Sequence, residues 1–322
     1  MYLSFISTTS FSEDSGDPKL KNVTEFWELI LGMLHIAGIV NIADYFPLVK
    51  VIDPQGIRRC TSIRYRKGIK VFEEIIAHRL ESEMGNDLLS EENDMLDVLL
   101  NAIRENSTEV RESELPNILM ELLVAGYDTT SIVLEWAMTE LLQNPIILKK
   151  AQAELEKVVV KGKPVEERDI DRLPYLKVIV KETFRLHPPA PFLVPRKATI
   201  DVELSGFVIP KNSQVLVNIW SIGRNGSLWK YPNIFEPERF MGVDVDFKGH
   251  NMELIPFGAG RRMCPGLPIA QKTLRLILGS LLNSCDWKLE RGADRENLNM
   301  YERYGFTLAK AQNLRAVPTN FL

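Results

Sequence analysis

Cys264 stands where a purely structural cysteine would not. The stretch Pro256-Phe257-Gly258-Ala259-Gly260-Arg261-Arg262-Met263-Cys264-Pro265-Gly266 sets a thiol in a loop of glycine, proline and arginine, directly before an apolar run. Gly258, Gly260 and Gly266 permit positive φ and close backbone approach. Pro256 and Pro265 stiffen the loop, and Leu267-Pro268 opens a helix with proline near its first turn. A cysteine just before a helix N-terminus meets the positive end of the dipole and free N–H groups, which favour thiolate over thiol. Arg261 and Arg262 add positive charge. The chemistry open to such a group is that of a nucleophile or a metal ligand. A nucleophile normally needs a base beside it, and no histidine is near in sequence. A single thiolate on a metal held otherwise by a prosthetic group fits better, as in haem iron with an axial cysteine.

Three other places break local rules. The helical pattern Ser113–Gln143 is interrupted by Ala125-Gly126-Tyr127-Asp128-Thr129-Thr130, in which glycine alone costs about 1 kcal/mol against alanine. Either the helix kinks there, since Thr hydroxyls can bond carbonyls four residues back, or the polar notch lets a ligand touch backbone beside a hydroxyl and a carboxylate. Glu182 and Arg185 are three apart, hence on one helix face. Their apolar neighbours Val178, Ile179, Val180, Phe184 and Leu186 would bury part of the pair, which then needs further hydrogen-bond partners. Phe235-Glu236-Pro237-Glu238-Arg239-Phe240 offers one: an arginine in a proline-stiffened loop between two aromatics, otherwise an ordinary surface turn.

The elements that must position these residues are mostly helical. Apolar periodicity and stop signals predict helices over Val23–Ile39, Gly56–Ser82, Asn93–Arg104, Ser113–Gln143, Pro145–Val159, Pro174–His187 and Pro268–Leu282. Short strands are expected at Thr199–Leu204, Phe207–Ile209, Gln214–Ile219, Asp286–Leu289, Phe306–Ala309 and Leu314–Val317. The fold class is therefore mainly α with a minor β-sheet region. One domain is expected over residues 1–322, with residues 1–22, rich in Ser, Thr and Asp, as a weakly structured start. The 322 residues are 45% hydrophobic and 25% charged, an ordinary globular balance. A net charge of −4 argues against nucleic-acid binding. Cys60, Cys264 and Cys285 are too few and too far apart for a disulfide framework or structural zinc, which fits a reducing compartment. The apolar run near residues 29–40 is shorter than the ~20 residues of a membrane span and reads as a core helix.

The four motifs together resemble the cytochrome P-450 superfamily of haem-thiolate monooxygenases. The family's loop pattern Phe-x-x-Gly-x-Arg-x-Cys-x-Gly is met by Phe257, Gly260, Arg262, Cys264 and Gly266. Its oxygen-site helix pattern is met by Ala125 to Thr130, its Glu-x-x-Arg pair by Glu182 and Arg185, and its Pro-Glu-Arg-Phe segment by Pro237 to Phe240. "LEWAMTELLQNP", "LPYLKVIVKETFRLHPPAPFLVPRKA" and "ELIPFGAGRRMCPGLPIAQ" are similar to plant microsomal members such as geraniol hydroxylase and ferruginol synthase. The resemblance runs from about residue 20 to the end. It implies a chain matching the C-terminal two thirds of such a protein, without the membrane anchor, the hinge and the first strands and helices.

Several roles follow from the resemblance. Cys264 would ligate the iron of haem b (iron protoporphyrin IX), with Phe257, Gly258, Gly260 and Gly266 forming its loop. Arg262 and Arg196 would hold haem propionates. Ala125 and Gly126 would leave room for dioxygen, while Asp128 and Thr129 would relay protons as the catalytic pair. Glu182, Arg185 and Arg239 would be a structural network. Leu123, Val124, Ala190, Phe192, Leu193, Val194 and Phe306 would line an apolar pocket for a small substrate, a terpenoid by resemblance. Electrons would come from NADPH-cytochrome P-450 reductase, as no dinucleotide fingerprint is present; Arg261, Lys272 and Arg275 would give it a basic docking face. The intact family sits on the endoplasmic reticulum membrane, cytoplasmic face, and Tyr45 to Val49 would be either a membrane-dipping loop or a buried one. Two alternatives stay open: a haem-thiolate isomerase or dehydratase, against which the Asp128-Thr129 pair speaks, and a non-catalytic haem-binding remnant.

Overall fold

The structure, a computed structural model, describes residues 23–84, 94–105, 109–160, 163–290, 295 and 297–319. The expected weakly structured start and the Gly85-Asn86 break lie outside these residues. The helices are α1 (Val23–Ala37), α2 (Ile42–Tyr45), α3 (Ile57–Met84), α4 (Met95–Arg104), α5 (Leu115–Gln143), α6 (Pro145–Val158), α7 (Pro174–Leu186), α8 (Ile219–Gly223) and α9 (Leu267–Ser284). The strands form antiparallel pairs: β1 (Arg196–Lys197) with β4 (Gln214–Val215), β2 (Val202–Leu204) with β3 (Phe207–Ile209), β5 (Asp286–Leu289) with β8 (Ala316–Thr319), and β6 (Glu302–Arg303) with β7 (Ala309–Lys310). The chain divides into two compact units between Asp128 and Thr129, inside α5.

In the first unit, α1 packs along α3. Ile30, Phe72, Leu96, Leu115 and Leu119 close an apolar core there. Arg79 of α3 pairs with Asp94 at 2.7 Å and with Asp97. Asp94 also caps α4 by accepting the Asp97 N–H at 2.9 Å, so one carboxylate satisfies an orphan helix donor and a guanidinium together. The core-helix expectation for residues 29–40 is only partly met. Ile30 and Leu34 are buried but Leu31 is exposed, so one stripe of α1 packs; Val40, past the end of α1, is exposed too. Among the described residues, Glu28–Tyr45 and Glu112–Gln143 are long and apolar enough to cross a membrane. The first is broken between α1 and α2. The second carries buried Thr139 and Glu140, both hydrogen-bonded within the protein, as a core helix would.

The second unit is organised around α7, whose residues Val178 to Leu186 are all buried. Leu173 precedes the helix without a side-chain cap. Glu154 of α6 replaces it, accepting the N–H groups of Tyr175 and Leu176 at 2.7 and 2.9 Å. At the far end the His187 N–H closes on the Thr183 carbonyl at 2.7 Å, and Pro188-Pro189 cannot continue the helix. Helix α9 comes close to α7 at Gly279, where an added Cβ would meet Leu176 and Val165 side chains at 3.2 Å.

Two expected strands are corrected. Gln214–Ile219 pairs only as far as Val215. Ile219 instead opens α8, because the Asn218 side chain accepts the Ser221 N–H at 2.9 Å and so starts a helix. In Phe306–Ala309 only Ala309 joins a ladder, since the Leu308 N–H goes to the Pro189 carbonyl at 2.8 Å.

A Cβ at Gly223 would lie 2.3 Å from the Arg185 carbonyl oxygen, a backbone atom that cannot yield as a side-chain end can. Gly223→Ala should therefore destabilise the protein by about 1–3 kcal/mol. Chemical denaturation checks this; an unchanged midpoint would contradict the packing described.

Candidate functional site

The Cys264 loop is built by its turns. The Gly258 N–H bonds the Ile255 carbonyl at 2.9 Å, and Gly258 and Gly260 take φ values of +75° and +71°, which a side chain would strain. A single turn, Gly260–Arg262, follows. The Cys264 N–H then returns to the Phe257 carbonyl at 2.9 Å, closing the loop, and Gly266 precedes α9. Cys264 is a free thiol and exposed. The loop is rooted by Phe257, whose ring lies 5.0 Å from Phe184 of α7 and 5.6 Å from Phe247, centroid to centroid. Leu193, itself at φ +53°, comes within 4.0 Å of where a Gly258 Cβ would stand. The apolar segment 190–194 therefore lies beside the cysteine loop.

Beside Phe184 lies a buried ion network. Arg185 and Glu182 side chains are both fully buried and pair through Nη2–Oε1 at 2.7 Å and Nε–Oε2 at 2.8 Å. Glu182 Oε1 also accepts from Arg239 Nε at 3.0 Å and from the Glu236 N–H at 2.7 Å. Arg185 donates further to the carbonyls of Gly223, Pro232 and Ile234 at 2.5, 2.6 and 3.1 Å. The further partners that a buried pair requires are thus supplied by Arg239 and by loop backbone.

The remaining predicted residues fall as follows. Ala125 to Thr130 lie in unbroken α-helix; a Cβ at Gly126 would meet nothing within 4 Å, and Thr130 is buried. Leu123 is spent in the first unit's core, with Val124 packed against it. Val194 and Phe306 are large apolar side chains left 76% and 56% exposed, while Ala190, Phe192 and Leu193 are half-buried. Phe192 meets Tyr304 at 6.4 Å, which joins segment 190–194 to segment 304–308. Arg196 and Arg262 are exposed. Of the expected basic face, Lys272 pairs with Glu167, and Arg275 lies 3.8 Å from Asp171 with its side chain only 12% exposed. Arg261 and Lys272 remain exposed, Lys272 within a surface ion pair, while Arg275 is half-buried.

The donor set fits a haem. An exposed thiol at a helix start offers one soft ligand, exposed apolar side chains in the same unit offer a face for a flat apolar ring, and two exposed arginines offer partners for carboxylates. Cys264 would hold the iron, with Arg262 and Arg196 at the carboxylate edge.

Comparison with known proteins gives the family. The family model described as cytochrome P-450 matches residues 1–314. The chain belongs to the cytochrome P-450 family. It is 48% identical over 320 residues to drimenol monooxygenase of Persicaria hydropiper, covering 99% of this chain and 63% of that protein. It is 48% identical over 317 residues to geraniol 8-hydroxylase of Catharanthus roseus, covering 98% of this chain and 64% of the relative. It thus spans less than two thirds of the length of these relatives. Among solved structures it resembles a zebrafish cytochrome P-450 with abiraterone at a TM-score of 0.74 and 26% identity, covering 99% of this chain and 70% of that one. The cytochrome P-450 fold, mainly helical with small sheets, is therefore shown.

A second charged cluster was not anticipated from the sequence. Glu302 Oε2 accepts from Trp220 Nε1 at 2.9 Å; its Oε1 faces Arg224 Nη2 at 3.3 Å and His187 Nδ1 at 3.4 Å. Burial works to raise the Glu302 carboxyl, but the His187 and Trp220 hydrogen bonds and the Arg224 charge outweigh it and hold the group below the usual carboxylate range. A carboxylate depressed on folding adds stability that is complete above its ordinary value and disappears as pH falls through its folded value. Glu302→Gln should thus cost about 1–3 kcal/mol at neutral pH. The gap to the parent should narrow below about pH 4. Thermal unfolding across pH measures it; a constant gap down to acid would contradict the assignment.

Proposed function

We propose that this chain carries the catalytic centre of a haem-thiolate monooxygenase that inserts one oxygen atom into a small apolar, terpenoid substrate. The single observation that carries this reading is the exposed Cys264 thiol, held at the start of α9 by a loop rooted on α7. The names of the relatives, a drimenol monooxygenase and a geraniol 8-hydroxylase, support a terpenoid substrate.

When bound, haem b supplies the iron that activates dioxygen, one atom entering the substrate and the other leaving as water, with two electrons from NADPH through an external reductase. The protein's own residues do the rest. The loop presents Cys264 Sγ exposed, directly before the N-terminus of α9. Arg262 and Arg196 fix carboxylates by charge-assisted hydrogen bonds. The Thr129 hydroxyl and the Asp128 carboxylate, adjacent on α5, hold and hand on protons. Gly126 keeps bulk away from that stretch. Val194, Phe306 and their half-buried neighbours exclude water and orient an apolar molecule without fixed polar anchors. The test is reconstitution with haem, an NADPH-cytochrome P-450 reductase, NADPH and geraniol or drimenol. The intact chain should form hydroxylated product. Thr129→Ala should keep haem yet consume NADPH with at least about tenfold less product per electron pair. Unchanged coupling in Thr129→Ala would refute the relay.

One surface supports membrane association, the endoplasmic reticulum being the site by resemblance. Val40, Ile42, Tyr45, Phe46, Leu48, Val51 and Ile52 are all exposed, Leu48 and Val51 above 90%. Such a run of apolar side chains, with Pro47 among them, is suited to a bilayer surface. Phospholipid vesicles should bind the chain, and Leu48→Asp with Val51→Asp should weaken binding about tenfold or more. Equal binding by the double variant would remove this role.

A further inference from the structure

His187 closes α7, yet its ring belongs to other elements. It stacks on Trp136 of α5 at 3.8 Å between centroids with 2° between planes. Its Nε2 lies 2.8 Å from Glu140 Oε1 and its Nδ1 3.4 Å from Glu302 Oε1. Trp136, Glu140 and His187 are all buried. Lys310 Nζ sits 4.4 Å over the other partner of the stack, the Trp136 ring, and donates to the Asn299 carbonyl at 2.6 Å. Arg224 stands beyond Glu302. One imidazole thus bridges α5, the end of α7 and β6.

What it bridges has a direction. Helix α5 turns about 100° per residue. Trp136 and Glu140, seven and eleven positions after Thr129, therefore return to within about 20° of the Thr129 face. Directly after His187, the Pro189 carbonyl accepts the Leu308 N–H at 2.8 Å, and the Phe192 carbonyl accepts the Val217 N–H at 3.3 Å. The Pro189–Leu308 bond and the contact of the Phe192 and Tyr304 rings at 6.4 Å tie segments 190–194 and 304–308 to each other next to the imidazole.

We propose that His187 is a positioning residue that sets the distance between the Thr129 face of α5 and the two apolar segments 190–194 and 304–308. This rests on the reading that these segments form the substrate wall. In this role His187 does not touch substrate; it couples two carboxylates that reach it from opposite ring nitrogens. Glu140 and Glu302 act on each other through it.

The test is a double-mutant cycle on the full chain, Glu140→Gln and Glu302→Gln, followed by chemical denaturation. The two changes should be non-additive by at least about threefold in the unfolding equilibrium constant, and additive in a His187→Phe background, where the stack on Trp136 is kept. Additivity with His187 present overturns the proposal. Should His187→Phe not fold, the cycle in the His187 background alone decides. In haem-loaded protein, His187→Phe should weaken geraniol binding, followed by the optical shift of the haem, by at least about threefold while the carbon monoxide signature is kept. Unchanged affinity overturns the positioning role. Loss of the carbon monoxide signature in the parent chain would instead refute the haem-thiolate reading, and the denaturation cycle, which needs no haem, would still decide on His187.

Discussion

Arg185 carries a full positive charge into a place that water does not reach, and the second unit is arranged around that fact. Its side chain and that of Glu182 are both fully buried. An isolated ion there would be several kcal/mol too costly, so every donor must be answered. The answers come from the carbonyls of Gly223, Pro232 and Ile234, from Glu182 and, through Glu182, from Arg239 and the Glu236 N–H. Apart from Glu182, these groups lie between residues 223 and 239, a stretch with little regular structure of its own. The charge makes that stretch choose one conformation. Gly223 shows how tight the choice is, since even a methyl group would strike the Arg185 backbone.

From that network the arrangement passes to the cysteine by contact. Phe184 precedes Arg185 and receives the ring of Phe257, and the carbonyl of Phe257 receives the Cys264 N–H. A buried salt bridge is weak evidence for stability in itself. Here its value is conformational: it fixes the helix on which the loop stands. The loop can then leave its thiol exposed at the start of α9, a position that serves no packing purpose. Order at the root and exposure at the tip are what a ligand presented to a large cofactor requires.

Much of this was legible in the sequence, for a physical reason. Glycines at fixed offsets before Cys264, an i,i+3 ion pair on an apolar face and a polar notch in an apolar helix each break a local rule, and each break is visible within ten residues. The α7 and α5 helices were likewise readable from Pro174, Pro145 and the apolar period. What stayed hidden depends on distance along the chain. His187 meets Glu140 and Glu302 across 47 and 115 residues, and no local pattern marks such pairs. The turn of Ile219 into α8 was missed because Asn218 reads as a strand end until its side chain is seen capping Ser221. The ion pairs of Lys272 and Arg275 were hidden for the same reason, since Glu167 and Asp171 are far away in sequence.

The central claim is that this loop presents Cys264 as the thiolate ligand of a haem. It is tested most directly by supplying haem to the chain and to Cys264→Ala, reducing both, and recording carbon monoxide difference spectra. The account predicts a strongly red-shifted Soret band for the parent and its loss in Cys264→Ala. A band at the ordinary histidine-type position in the parent, or a red-shifted band that survives in Cys264→Ala, would contradict it.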